Sequence, residues 1–389
     1  MRMAKKMTAF LVALALTFFC TLPAIADGEE AIYASTDIKI TGTSALLMEA
    51  STGQVLFEKQ ANEKLPIGTL NKIMTVLLVA EAIDEGKLSL SSQVSASTKA
   101  SKAKGAVIWL EAGEKMSVED LLKGVIIGNA NDASIALAEA VSGTEEDFVA
   151  RMNQRAKELG MANTVFKNCT GYDEPEQYST AYDVALMSRE LIKHKNMYGY
   201  MTCWMDNLRN GATMLVNANN LVKSYDGIIG VKAGYTEAAK NCISAAAERN
   251  GTAYVAVVLG CADKDARFSE AKGLMNVGFA NYQVATPPMP EEALKPIKVN
   301  GGTKRQIFAR AESLSNVVIP KGAADEITGK VILPEEISAP VRENQIIGEV
   351  EFYRGDSLLC KTNLLASEAV EEMTFFTAFN ILFKNMMDF

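Results

Sequence analysis

Three prolines within four residues, Pro287-Pro288-Met289-Pro290, constrain this chain more than any other feature. Proline fixes φ and donates no backbone hydrogen bond, so neither a helix nor a central strand runs through them. The sequence changes character across this break. Before it, helical and strand-like patterns are mixed; after it, only short strand-like runs occur. At 389 residues the chain exceeds the size of one typical domain, and its 48% hydrophobic and 22% charged content is that of a folded, core-forming protein. The reading is a large α/β domain over 31–285 and a small all-β domain over 291–365.

Within the large domain, Ala45–Ala50 and Gln54–Glu58 flank Ser51-Thr52-Gly53 and read as a β-hairpin. After Pro66, Ile73, Val76, Leu77, Ala80 and Ile83 recur at helical steps until Gly86. Ser117 with Asp120, Thr144 with Asp147, and Thr180 with Asp183 have the spacing of helix-capping pairs. Ile243–Ala247 and Tyr254–Leu259 surround Asn250-Gly251, a dipeptide suited to a tight hairpin. In the small domain, Ile297–Val299, Gln306–Ala309, Val317–Ile319, Lys330–Leu333 and Ile346–Tyr353 read as strands.

Both termini read as targeting segments. Arg2, Lys5 and Lys6 precede the apolar run Ala9–Phe19, and Ala24-Ile25-Ala26 suits a signal peptidase, so residues 1–26 are expected to be removed on export. Cys20 follows Phe18 and Phe19, which makes it a poor lipid-attachment site. At the other end, 369–389 is rich in phenylalanine, with Thr374, Thr377, Lys384 and Asp388 on a narrow polar stripe. An amphipathic helix lying on a membrane surface fits this pattern better than a membrane-crossing one; a helix packed on its own protein is the alternative. The remaining cysteines, Cys169, Cys203, Cys242, Cys261 and Cys360, form no Cys-x-x-Cys pair. They read mostly as small buried side chains, with one disulfide open but not assignable.

The charge balance, 39 basic against 47 acidic residues for a net −8, argues against a nucleic-acid partner. The single histidine, His194, lies in Lys193-His194-Lys195 and reads as a solvated residue near a helix end. A multi-histidine zinc site cannot be assembled from one such residue. No clustered ligand set or phosphate-binding glycine loop stands out, so no metal or organic cofactor is expected. Any catalysis therefore needs a base other than histidine.

Thr69 and Lys72 supply a hydroxyl and an amine three residues apart at a helix start, on one face, so Lys72 can serve as the base for Thr69. A lone Thr-x-x-Lys means little. Its company raises its weight: Asn129-Ala130-Asn131 before a later helix, then Lys232-Ala233-Gly234 entering a strand hairpin.

With these motifs the chain resembles the D-alanyl-D-alanine carboxypeptidases, the low-molecular-mass penicillin-binding proteins, whose signatures are Ser-x-x-Lys, Ser-x-Asn and Lys-Thr-Gly. Leu65-Pro66, Asn131-Asp132-Ala133, Tyr178–Asp183, Asp226-Gly227-Ile228, Gly234-Tyr235-Thr236 and Ala266-Arg267-Phe268 carry the resemblance further. It implies a serine DD-peptidase or β-lactamase-like fold, an antiparallel sheet flanked by helices. The implied substrate is the peptidoglycan stem peptide, with β-lactams as further ligands, on the outer face of the cytoplasmic membrane. Thr69 then stands at the acyl-forming nucleophile, Lys72 at its base, and Asn129 at a proton-shuttling hydroxyl. Asn131 orients the substrate and Lys232 faces its terminal carboxylate. Ala233 and Gly234 complete the third motif, and the backbone amides of Thr69 and Tyr235 form an oxyanion hole.

Three positions depart from the family pattern. Thr69 replaces serine and adds a methyl that stiffens χ1. Asn129 replaces the second serine; an amide relays no proton, and general acid help is worth about 10²–10⁴-fold. Ala233 replaces threonine and removes a carboxylate donor. A carboxypeptidase and a catalytically inactive binder or scaffold of cell-wall peptides are the two readings this leaves.

Overall fold

The computed structural model describes residues 38–387, so the expected export signal lies outside the described residues. The first hairpin pairs β1 (Ser44–Glu49) with β2 (Val55–Lys59). The Glu49 carboxylate holds its turn by accepting from the Ser51 and Thr52 amides at 2.9 and 2.7 Å. Three long strands complete an antiparallel sheet: β3 (Ile228–Thr236), β4 (Lys240–Arg249) and β5 (Thr252–Cys261). Asn250 and Gly251, at φ 52° and 76°, make the expected tight turn between β4 and β5, the geometry of a primed turn. The strand order is β2-β1-β5-β4-β3, which leaves β3 at an edge.

Both faces of this sheet are covered, which is why β1 is a continuous buried run rather than an alternating one. Leu46 and Met48 join the cluster formed with α1 (Lys72–Asp84), α2 (Val118–Ile126), α3 (Asn131–Ser142), α4 (Glu145–Glu158) and α5 (Ala181–Leu191). Ala45 and Leu47 face the other way, into a cluster with Phe268, Leu274 and Met275 of α6 (Ala266–Asn281). Helix α1 is buried on almost every side, from Lys72 to Ala80. Each buried Leu, Ile, Val or Met there contributes roughly 1.5–3 kcal/mol, so this helix is the pillar of the all-helical layer. Helix α6 has no clear apolar stripe in sequence because Arg267 and Glu270 occupy buried positions on it. Glu270 accepts from the Thr41 amide and hydroxyl at 2.8 and 2.6 Å.

The expected caps form. Ser117, Thr144 and Thr180 accept the amide hydrogens of Asp120, Asp147 and Asp183 at 3.1, 3.1 and 3.0 Å. His194 differs from the expectation of a solvated side chain: it is half-buried after α5, and its Nδ1 lies 2.6 Å from Asp84 Oδ2. The acidic end of α1 holds the ring in place. All five cysteines among the described residues are free, so no disulfide forms among them.

Beyond the prolines, the strands at Ala309–Ala311, Ser357–Ala366, Ile346–Arg354 and Ile327–Ile332 form a four-stranded sheet in that order. Ile297–Asn300 lies between Gln306–Ile307 and Glu336–Ser338 in a second sheet. A strand not foreseen, Tyr282–Ala285, pairs with Val317–Pro320, so backbone bonds cross the proline segment. The terminal helix α7 spans Phe375–Met387, and its threonine cap is Thr374, which accepts from the Thr377 amide at 3.1 Å. It starts after the expected position because Val370 and Glu372 bridge to Val341 and Gly302 of the β domain. Phe375, Phe376, Leu382, Phe383, Met386 and Met387 on α7 are exposed, so this helix does not bury its apolar face on the protein. No helix among the described residues is long and apolar enough to cross a membrane.

Thr180→Ala removes the α5 cap and the anchor of the turn at Asp183. The expected loss is about 1 kcal/mol in chemical denaturation; an unchanged midpoint would show that the cap bond contributes nothing.

Candidate active site

The first motif lies at a tight entry into α1. Gly68–Asn71 forms a single 3₁₀ turn that runs directly into the helix, with Gly68 at φ 52°. Thr69 sits on that turn and aims its hydroxyl at β3. A Cβ built on Gly234 would overlap Thr69 Oγ1, so the hydroxyl fills the space that a side chain at 234 would need. Thr69 Oγ1 is buried and has no hydrogen-bond partner. The first and third motifs therefore meet in van der Waals contact.

Lys72 opens α1 and is fully buried. Its Nζ donates to Asn131 Oδ1 at 2.6 Å and to the Thr170 carbonyl at 2.5 Å. No hydrogen bond joins it to Thr69, contrary to the direct pairing expected from the spacing. Loss of water pushes the Lys72 pKa down to about 7, while Cys169 and Asp132 pull the other way. Burial and Glu145 hold the Cys169 thiol well above its ordinary value, so it stays neutral, and Asp132 is the charge that opposes the shift.

Asn131, at the first turn of α3, ties the second motif to the first. Its Nδ2 donates to the Lys104 carbonyl at 2.6 Å, and its backbone amide donates to Ala106 O at 2.7 Å. Asn129, two residues earlier, adopts φ 57°, a left-handed conformation that asparagine tolerates better than most residues. Its Oδ1 is buried and unpaired, which leaves an acceptor without a donor.

Lys232 is also buried, and its amine donates to the Val125 and Ile126 carbonyls, each at 2.9 Å. These are the last carbonyls of α2, where a cation is favoured. Burial, with Lys72 nearby, pushes the Lys232 pKa well below its ordinary value. Ala233 is buried in the apolar cluster with Ile243 and Phe268. Tyr235 is half-exposed, with its hydroxyl on Glu237 at 2.7 Å.

Several supports carry no sequence motif. The segment around Thr170 is wedged against the Gly68–Asn71 turn: Gly171, at φ 72°, has no room for a Cβ because the Gly68 carbonyl occupies the space. Asp173 reaches the hairpin tip, accepting from Thr236 Oγ1 at 2.7 Å and from the Ala238 amide at 3.2 Å. Asn168 Oδ1 accepts from the Gly171 amide at 2.7 Å and so shapes the turn. Arg267 donates to the Gly234 carbonyl from beneath the sheet. The Asn168–Gly171 turn signal was readable in sequence, but a ligating backbone carbonyl such as Thr170 O has no signature of its own. Among the described residues no His, Cys, Asp and Glu group could hold a metal ion.

Comparison with known proteins matches this arrangement. The family model for D-alanyl-D-alanine carboxypeptidase covers residues 30–263, and that for the penicillin-binding protein 5 C-terminal domain covers 286–372. The chain is 35% identical to D-alanyl-D-alanine carboxypeptidase DacF of Bacillus subtilis over 93% of each sequence. It is 33% identical to DacC of Escherichia coli, over 85% of this chain and 84% of that one. Penicillin-binding protein 5 from Haemophilus influenzae superposes with a TM-score of 0.80 at 27% identity, covering 87% of this chain and all of the other. With its helix-flanked antiparallel sheet and convergent motifs, the chain belongs to the D-alanyl-D-alanine carboxypeptidase family.

Proposed function

We propose that this protein removes the terminal D-alanine from peptidoglycan stem peptides through an acyl-enzyme on Thr69. The observation that carries the reading is the buried Lys72 amine, lowered to about 7, three residues along the chain from an unpartnered hydroxyl that touches Gly234. In its neutral form Lys72 keeps two N–H donors, which Asn131 and Thr170 engage, and its lone pair is left to take a proton.

Thr69 Oγ attacks the carbonyl between the two D-alanines, and Lys72 takes the hydroxyl proton. The tetrahedral oxyanion lies toward the backbone amides of Thr69 and Tyr235. Its collapse breaks the C–N bond and releases D-alanine, with the proton returned from Lys72. Water then cleaves the ester by the same route, and Thr69 regains its proton. Lys232 offers an N–H donor to the substrate carboxylate, while Gly234 keeps the strand close to the nucleophile. Asn129 can accept a hydrogen bond but relays no proton, so Lys72 serves both proton transfers. β-Lactams enter the same cleft and acylate Thr69. Nothing in this geometry favours an inactive scaffold, because the base retains its burial and its two acceptors.

With residues 1–26 read as an export signal, the mature protein works outside the cytoplasm. Helix α7 rests on the membrane surface, where its exposed phenylalanines leave water.

Three outcomes follow from the proposal. Purified protein forms a covalent adduct with labelled penicillin and releases D-alanine from a peptide ending in D-Ala-D-Ala. Thr69→Ala and Gly234→Ala abolish both, whereas Thr69→Ser with Asn129→Ser raises turnover by about 10²-fold; a folded double variant with no adduct would overturn the site. Since Lys72 titrates about 7 rather than at 10.5, acylation should rise tenfold per pH unit below about 7 and level off above it. A flat profile between pH 5.5 and 8.5 would remove Lys72 as the base. Lastly, the chain should co-sediment with lipid vesicles and lose that binding when 375–389 is deleted; equal binding by the truncated form would rule out α7 as the membrane contact.

A further inference from the structure

Glu145, the first residue of α4, is a buried carboxylate that takes no part in the chemistry above, and it bridges the two segments that hold Lys72. Its Oε1 accepts from the Cys169 amide at 3.2 Å and from the Cys169 thiol at 3.3 Å. Its Oε2 lies 2.8 Å from Lys99 Nζ, which also reaches Glu146 at 2.7 Å. Withdrawing a carboxylate from water is unfavourable unless both oxygens find donors, and these do. A helix start favours negative charge, but the exposed Glu146 meets that preference without being buried. The burial of Glu145 therefore has to be explained by what it holds.

One arm ends on the Lys72 amine. Cys169 precedes Thr170, whose carbonyl accepts from Lys72 Nζ at 2.5 Å. Asn71 Nδ2 donates to the Asn168 carbonyl at 2.8 Å, and Thr75 Oγ1 donates to the Cys169 carbonyl at 2.7 Å. Asn168 Oδ1 accepts from the Thr170 and Gly171 amides at 3.2 and 2.7 Å. With Glu145 on the Cys169 amide, each successive peptide unit from Asn168 to Gly171 is held at both its carbonyl and its amide. The other arm runs through Lys99, in the short helix Thr98–Ser101, whose cap Ser97 donates to Glu139 of α3 at 2.9 Å. Just beyond that helix the Lys104 carbonyl accepts from Asn131 Nδ2 at 2.6 Å, and Asn131 Oδ1 accepts from Lys72 at 2.6 Å. Both acceptors of the Lys72 amine are thus held by segments anchored on one carboxylate.

We infer that Glu145 is a positioning residue for the Lys72 amine: on one side it fixes the Thr170 carbonyl through the Cys169 amide, and on the other it fixes, through Lys99, the segment that orients Asn131. The inference rests on the carboxypeptidase reading above, in which Lys72 takes the Thr69 proton. A charged amine depends on its acceptors more than a neutral one does, so loosening them lowers the pH at which Lys72 gives up its proton. The same loosening lets the amine leave the geometry that proton transfer requires. The first effect moves the midpoint of the pH profile and the second moves its plateau. The titratable groups that face Lys72, which are Cys169, Asp132 and Lys232, are unchanged by substitution at 145.

The test uses the full mature chain and reads acylation by labelled penicillin across the pH range in which Lys72 titrates. Glu145→Ala should lower the midpoint from about 7 by about half a pH unit or more, and the plateau about five- to twentyfold. Glu145→Leu, which keeps the side-chain volume and so folds where alanine leaves a void, should do the same. Glu145→Gln, whose amide oxygen still accepts from the Cys169 amide, should return both most of the way. An unmoved midpoint in a folded, acylating Glu145→Ala or Glu145→Leu chain overturns the positioning role and leaves the carboxypeptidase reading intact, whatever the plateau does. A Glu145→Gln chain as impaired as Glu145→Ala overturns it as well. A parent chain that forms no adduct at any pH overturns the carboxypeptidase reading, and the role of Glu145 falls with it.

Discussion

A lysine amine removed from water is the constraint around which this protein is arranged. An exposed Lys72 would be protonated at neutral pH; burial lowers it to about 7, the range that its proposed role as base requires. Such burial is unfavourable unless acceptors compensate it, and the fold brings two from distant segments, Asn131 and the Thr170 carbonyl. The single histidine, bound to Asp84 at the far end of α1, is not needed for the chemistry. Lys232 repeats the device at the end of α2, where burial and then the nearby Lys72 keep its pKa low.

Close backbone approach is the second requirement. Gly234 yields its side-chain space to the Thr69 hydroxyl, and Gly171 yields its own to the Gly68 carbonyl. The Thr69 turn is thereby pinned between the edge strand β3 and the Asn168–Gly171 turn. Within that frame the departures at 69 and 129 acquire a physical meaning. Thr69 carries an extra methyl at this turn, and Asn129 suits the left-handed backbone that the turn before α3 demands. Asn129 thus fits the local conformation while giving up a proton relay.

Much of this was legible in the residues themselves. The two hairpins, the three capped helices and the helical course of α1 follow from turn dipeptides, cap spacing and apolar periodicity. Helix α6 was hidden because Arg267 and Glu270 face the core, where they serve Gly234 and Thr41 instead of forming an outer polar face. The strand Tyr282–Ala285 was masked by its nearness to the prolines. At the site, Lys72 meets Asn131 and Thr69 meets Gly234, while Ala233 turns to the opposite layer, as alternation along a strand requires once Lys232 points to the helices. The Thr170 carbonyl was invisible in principle, because any residue type can supply it.

The path of the chain through the sheet sets the order in which this molecule can assemble. Strand β1 lies between β2, its neighbour in sequence, and β5, some two hundred residues downstream. Until the polypeptide has been synthesised past Cys261, one whole flank of β1 and the sheet-facing side of α1 have nothing to cover them. Loop closure over such a span is slow, and apolar segments left waiting invite capture by chaperones or by one another. A chain still lacking β5 therefore has only α2–α5 to pack against α1, and the Thr69 turn meets the edge strand late, once the long strands are in place.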